Sequence, residues 1–531
     1  MPKTRVAWIL GILCAAMATG LAQGPQPPAL ETGGSPPAPS RGIRVSRGAA
    51  RASASGGGIQ VNQDAQANNL LGDAANEPTI CVDPTDPQRM AIGWRQFDSI
   101  TSDFRQAGWA YSTNGGQTWT FPGVLETNVL RTDPVMAADA DGHFYYLSLL
   151  LEPVLHCDLW KSDNAGVSWQ QIGPAVGGDK AWLAVDTTRG PGRGHLYQTW
   201  SLAQNPFGMR TFSRSTDGGV TWSDPMTVPQ RPFWSTLTVG PDGALNLLGW
   251  NGTAFWFTRS TNAQNPSATV KFDQTTDVDL GGTLTFATPT VNPDGLIGQP
   301  WIAVDSSTGP NRGNLYALSS VTGTGNPATV MFARSTDGGS TWSAPLRIND
   351  DPDNQNAWHW FGTLSVAPNG RIDACWYDTR NSPDNSTSEL FYRSSADGGL
   401  TWSANRAVSP PFDHSAGYPS QKKIGDYIGM VSLKHAACIA YTATFNGEQD
   451  IYFLRIERPI ITTIFRSGDK VTIAWKAIPG RNYCLQYKDN LSDPWSSDRT
   501  VGCRVADSYV TSLDDVADAT ISQRFYRIVE P

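Results

Sequence analysis

One eight-residue pattern, S-x-(D/N)-x-G-x-(S/T)-W, occurs five times in the chain. The copies begin at Ser112, Ser162, Ser215, Ser335 and Ser395 and end on Trp119, Trp169, Trp222, Trp342 and Trp402. A unit this short cannot bury its own apolar face, so a fold built on it must stack neighbouring units into one continuous core. Each copy has the chemistry of a tight turn. The Asp or Asn bonds the backbone N–H groups that follow it, Gly supplies positive φ, and Trp is expected to fold back on its own sheet. Successive copies start 50, 53, 120 and 60 residues apart, so the long gap should hide a degenerate unit; Phe257-Thr258-Arg259-Ser260-Thr261-Asn262 has the local pattern for it. Between the copies run strand-length apolar segments broken by Asp-Gly, Asn-Gly and Pro-Gly turns, as in Leu237 to Leu248. The composition agrees: 52 Gly, 37 Pro and 20 Trp with only 17% charged residues favour short strands and tight turns over long amphipathic helices. The fold class is all-β.

The repeated units resemble the Asp-box, or bacterial neuraminidase repeat, of the sialidase superfamily, over residues 58–458. The resemblance implies a β-propeller in which each unit is the hairpin between the two outer strands of a blade. Five units and the degenerate one account for six third strands. A seventh is Asp450 to Arg455, preceded by strands around Tyr427 to Val431 and Ala437 to Thr442. The outermost strand of that blade is missing, and Gly58 to Asn62 can fill its place, closing the ring and removing an exposed edge. The expected architecture is a seven-bladed propeller, with the six blades usual for sialidases as the alternative. After Pro459 the pattern changes to Val471 to Trp475, Tyr483 to Tyr487 and Arg524 to Ile528 without further repeats. Residues 459–531 look like a small fibronectin-III-like β-sandwich, for which spacing, adhesion and sorting are all open roles.

Lys3 and Arg5, the apolar run Val6 to Ala16 and the small residues up to Ala22 read as a signal peptide over residues 1–22. Residues 23–57 are Pro, Gly, Ser, Ala and Arg in irregular order and read as a disordered linker. A secreted, periplasmic or cell-surface location is therefore expected. No other stretch approaches the ~20 apolar residues of a membrane span. The net charge of −8, with no Lys/Arg cluster along the folded part, argues against nucleic acid as a partner. Removal of Cys14 with the signal leaves six cysteines. Cys484 and Cys503 fall in the same C-terminal module and are expected to pair; the other four suit either disulfides or buried thiols. No zinc spacing occurs, and the acidic stretch Asn349 to Asn354 lacks the spacing of an EF-hand loop, so neither metal nor cofactor is expected.

In a propeller the repeat turns occupy one face, and ligand sites use the other. On that other face lie Glu77, Asp133, Asp179 with Lys180, Trp234, Gln299, His359 with Trp360, and Asp426 with Tyr427, each leading into a successive innermost strand. The connections after the second strands add Arg95, Asp98, Asp103 and Arg105 in the first blade and Tyr377, Asp378 and Arg380 in the sixth. Ring closure would bring Arg380, Tyr427, Asp426, Glu77, Arg95, Arg131 and Asp133 together from four adjacent blades.

Sialidases bind the sugar carboxylate with three arginines, through bidentate charge-assisted bonds, and pair a Tyr nucleophile with a Glu and an Asp acid/base. By blade position, the resemblance implies Arg95, Arg131 and Arg380 for the trio, Tyr427 for the nucleophile and Asp98 or Asp133 for the acid, with Glu77 and Asp426 as further carboxylates of the sector. The Arg-Ile-Pro motif that carries the first sialidase arginine is absent, and simple ion pairs of Arg95 with Asp98 and of Arg380 with Asp378 are the competing reading. Trp182, Trp360 and their neighbours Trp234, Trp301 and Trp358 offer faces for pyranose rings, with His359 beside them, although tryptophan is also ordinary core. Two functions follow. The first is an exo-acting glycoside hydrolase of sialidase type acting on a glycan or glycoconjugate, which requires carboxylates or Tyr427 to converge with arginines in an open pocket. The second is a non-catalytic glycan- or protein-binding propeller, which predicts scattered polar groups and a shallow or plugged funnel.

Overall fold

The computed structural model describes residues 44–46 and 56–529, apart from 152–153, 289, 324–325, 353–355, 478–480, 491, 494, 509 and 517–522. The signal peptide and nearly all of the linker expected at residues 1–57 lie outside these residues. Among them the protein has strands and one short 3-10 turn, and no α-helix. It is an all-β protein of many small antiparallel sheets.

Seven of these sheets follow one another along the chain, over residues 74–124, 131–174, 182–215, 234–278, 301–347, 359–407 and 429–457. Within each, strands pair in chain order, so local turns set every register. The third sheet keeps three strands, and the bridge from Phe212 to Met226 is what stands in for its fourth. The seventh takes its outer strand from the other end of the chain: Ile59 and Gln60 pair with Phe453 and Tyr452. The first strands, Ala74–Val82, Arg131–Ala138, Trp182–Val185, Trp234–Val239, Trp301–Val304, His359–Val366 and Gly429–Leu433, pack each on the next, and the seventh on the first.

The repeat explains how neighbouring sheets join. In all five copies the serine hydroxyl bonds the Asp or Asn side chain and accepts the N–H of the glycine four residues on, the second glycine wherever there are two, as in Ser335 with Asp337 at 2.8 Å and Gly339 N–H at 2.8 Å. The degenerate copy keeps the first of these bonds, Ser260 to Asn262 at 3.1 Å. That second glycine presses on the preceding sheet. A Cβ at Gly339 would lie 2.0 Å from the Phe257 ring, and one at Gly116 2.0 Å from the Phe453 ring. The tryptophans follow: Trp119 packs on Phe453, Trp342 on Phe257 and Trp402 on Phe332, each an aromatic of the preceding sheet. The expectation that the tryptophan folds back on its own sheet therefore fails for these three, while Trp169 does meet an aromatic of its own sheet, Tyr146. The turn is a clamp between sheets, which is why it is repeated.

Beyond residue 459, two three-stranded sheets share a cluster containing Ile473, Trp475, Tyr483 and Leu485, and Cys484 is bonded to Cys503. Cys81, Cys157, Cys375 and Cys438 are buried thiols.

Candidate functional site

The first strands lead in from the end of the sheets opposite the repeat turns, and there several of them are kinked. Register breaks between Asn76 and Thr79, between Thr132 and Val135, and between Trp360 and Thr363. Glu77, Asp133 and Phe361 sit in those breaks at φ of 55°, 48° and 56°, and Lys180 takes 52° just ahead of the third sheet. A non-glycine residue held there costs about 1–3 kcal/mol, so the surrounding structure must enforce it. Phe361 shares the conformation without any ionisable group. The kink is thus a property of the architecture, and it turns the side chains of Glu77, Asp133 and Lys180 inward.

Those side chains form one buried network. Arg95 Nε lies 3.2 Å from Glu77 and donates to Asn76 at 2.8 Å. Lys423 Nζ lies 3.5 Å from Glu77 and 2.8 Å from Asp426. Lys180 Nζ lies 2.7 Å from Asp426, 3.5 Å from Asp133 and 3.7 Å from Asp179. All seven groups are at most 4% exposed. Four carboxylates face three cations, and burial pushes Glu77 up to about 8 against the pull of Arg95 and Lys423, so Glu77 holds the balancing proton at neutral pH. Tyr427, 2% exposed, donates to the Pro134 carbonyl at 3.0 Å. Burial, followed by the charges of Glu77 and Asp133, drives its phenol further from ionisation.

A hairpin formed by Phe286–Thr288 and Asn292–Leu296 lies on this network. Leu296 N–H donates to Asp426 at 2.9 Å, Asn292 bonds the Gly425 carbonyl and the Ile424 N–H, and Lys422 N–H donates to Asp294 at 2.7 Å. Gly425 is required beneath it: at φ +103° its backbone passes Glu77 so closely that a Cβ would lie 2.8 Å from Glu77 Cγ. Neither the hairpin nor Lys423 stood out in the sequence. The stretch Asn292-Pro293-Asp294-Gly295 reads as a turn but forms most of the second strand, so the local pattern gave no signal for the hairpin.

The remaining candidates are dispersed. Arg131 bonds Glu126, pairs with Asp158 at 2.7 Å and lies over Trp160. Arg380 pairs with Asp378 at 2.8 Å, Asp350 at 2.8 Å and Asp351 at 3.3 Å, over Phe391. His359 joins that second cluster, 3.0 Å from Asp351 and 3.6 Å from Asp378. Asp351 is held well below the usual carboxylate range: its burial opposes this, and His359, Asn349 and Arg380 outweigh it. Asp98 accepts from Gln106 at 3.0 Å rather than from Arg95. Trp360 is fully buried among Phe361, Tyr377 and His414. The three arginines thus have three separate sets of partners. Glu77, Arg95, Asp133, Asp426 and Tyr427 are the candidates that meet.

An open cavity of about 460 Å³ lies between the first strands of sheets three to seven, toward the end that carries the repeat turns. Trp182 and Trp301 stand in its wall, their rings edge to face at 5.0 Å, and Trp182 also meets Tyr427 edge-on. No helix among the described residues is long and apolar enough to cross a membrane.

No family model matches the chain, and no curated protein sequence does. Among solved structures, it is similar to a protein of unknown function from Dyadobacter fermentans, at 14% identity over 75% of this chain and 97% of that one, with a TM-score of 0.43. It is also similar to a Hadza microbial sialidase, at 13% identity over 69% of this chain and 76% of that one, TM-score 0.37. A phage phi92 endosialidase matches at 11% identity over 87% of this chain and 76% of that one, TM-score 0.42.

Proposed function

We propose that the protein is an exported, non-catalytic, glycan-directed β-propeller whose seven sheets are the blades of a closed ring. Ring closure is supported by the pairing of Ile59 and Gln60 with the last sheet and by the packing of the seventh first strand on the first. The observation that carries the non-catalytic part is the state of the Glu77–Asp426 network. Its carboxylates and cations are spent on one another, away from water, beneath the 286–296 hairpin. A sialidase-type mechanism needs an accessible phenol activated by a carboxylate and a trio of arginines aimed at one anion. Here Tyr427 is buried with its proton bonded to a carbonyl, and Arg95, Arg131 and Arg380 each neutralise different carboxylates. The same groups also have a structural role: they pair by charge with one another at kinked strands, away from water.

The test is a pair of measurements on the purified protein. A release assay on sialosides, arabinans and uronate polysaccharides should give no product above the buffer blank, while an immobilised glycan panel should retain the protein. Turnover that disappears in Tyr427→Phe would overturn the non-catalytic reading. Absence of retention on every glycan would overturn the glycan-directed one.

A further inference from the structure

The cavity between the first strands of sheets three to seven has a lining of one chemical kind. Every side chain in its wall is aromatic, aliphatic or hydroxyl-bearing, and none is ionisable. Its volume of about 460 Å³ falls within the ~300–1,000 Å³ usual for small-molecule sites. One feature points to a ligand that donates and accepts hydrogen bonds. Each of these first strands is paired along only one edge among the described residues, so the cavity is bordered by strand edges whose N–H and C=O groups have no ladder partner.

Thr187 and Ser306, both exposed, bring further hydroxyls to the wall, and half-buried Trp301 gives it an apolar ring. Aromatic rings together with neutral hydroxyl and peptide groups match a sugar ring, which is apolar on its C–H face and polar around its rim. An acidic sugar does not fit the same wall. A carboxylate taken into it would lose its hydration with no cation to replace it, at a cost of several kcal/mol.

We propose that this cavity is the glycan site and that it takes an uncharged saccharide unit, held against the Trp182–Trp301 wall with its hydroxyls bonded along the strand edges. The proposal rests on the glycan-directed reading above and departs from the charged face opposite. The experiment is a titration of the full chain, by calorimetry and tryptophan fluorescence, with maltotriose, cellotriose and galactotriose as neutral probes and sialyllactose and digalacturonate as acidic ones. At least one neutral trisaccharide should bind and the acidic ones should not. Ser306→Arg, at an exposed position, should leave the melting temperature unchanged and weaken that binding by at least about tenfold. Trp301→Ala should weaken it roughly three- to tenfold, the loss of one ring face. Binding that is unchanged in both variants would overturn the site while leaving the glycan-directed reading standing. Preference for the acidic probes would overturn the neutral ligand. Retention of the protein on no glycan at all would remove the reading on which the proposal rests.

Discussion

Asp73 and Glu77 lie four residues apart, one just before and one within the same strand, both buried, and the structure surrounds them with different groups. Glu77 faces cations. Arg95 and Lys423 reach it, Lys180 and Lys423 reach Asp426 beside it, and one proton makes up the difference between four carboxylates and three bases. Asp73 faces amides and other acids. Gln96 donates to one of its oxygens at 2.8 Å, and the other has no hydrogen-bond partner among the described residues. Around it stand Glu448, bonded by Asn69 and Gly72 N–H; Asp450, bonded by Asn62 at 2.6 Å and Asn446; and solvent-facing Asp98. This second group lies at the seam where the strand from Ile59 joins the last sheet, since Asn62 also accepts the Ile451 N–H. Burial, then the neighbouring Glu448 and Asp98, pushes Asp73 up to about 7 despite the Gln96 bond, and burial with Asp73 and Glu448 raises Asp450 still more strongly. Both acids are raised by burial, but around Glu77 cations neutralise the other carboxylates, whereas the seam holds its acids with amides and retained protons alone.

The largest effect should come from breaking the compensated side. Lys180→Met keeps the length of the stem and removes the charge that Asp426, Asp133 and Asp179 share. Leaving buried charge unpaired costs about 3–5 kcal/mol, so urea unfolding should show a loss of that size. A loss below about 1 kcal/mol would mean that the network is not held by ion pairing.

The seam should respond with the opposite sign. Because Asp73 is raised in the folded state, the stability it allows is fully present below pH ~4 and is lost as pH rises through about 7. Asp73→Asn resembles the protonated acid and has nothing to lose. It should match the parent protein at pH 4 and exceed it at pH 8 by on the order of 2–4 kcal/mol, since each tenfold difference in proton affinity between the folded and unfolded chains is worth about 1.4 kcal/mol. Denaturation curves at pH 4, 6 and 8 check this. Parallel pH profiles for the two proteins would show that the proton is not what settles Asp73 at the seam.

The contrast also marks what could be read in the sequence. Strands, turns and their spacing are local, so the repeat gave the all-β fold, the strand positions and the degenerate copy at Ser260 directly. The residues leading into the first strands were legible for the same reason, and Glu77, Asp133, Lys180 and Asp426 do meet. Their pairings were not legible. Glu77 binds Lys423 and Asn62 binds Asp450 across more than 300 residues, and nothing near Asp73 in the sequence distinguishes it from an exposed turn aspartate. Whether a carboxylate is available for chemistry depends on those distant partners and on the 286–296 hairpin above them. Blade position alone therefore could not separate a catalytic sector from a buried ion network.

A third kind of carboxylate sets the lower end of the scale. Asp337, in the exposed turn of the fourth full repeat copy, is lowered to about 2, first by the Thr341 hydroxyl, then by the Thr341 N–H at 3.0 Å. Its stabilisation is present above pH ~4 and lost only as pH falls through about 2, the reverse of Asp73. Water screens an exposed group, so its worth should stay under about 1 kcal/mol. The repeat itself supplies the control, because Asn114 and Asn164 hold the same position and make the same bond to the amide of residue i+4 at 3.0 Å. Asp337→Asn should therefore unfold within about 0.5 kcal/mol of the parent protein at pH 7, with the difference shrinking further below pH ~3. A larger loss at pH 7 would mean that the negative charge, and not the geometry of the turn, is what the repeat preserves.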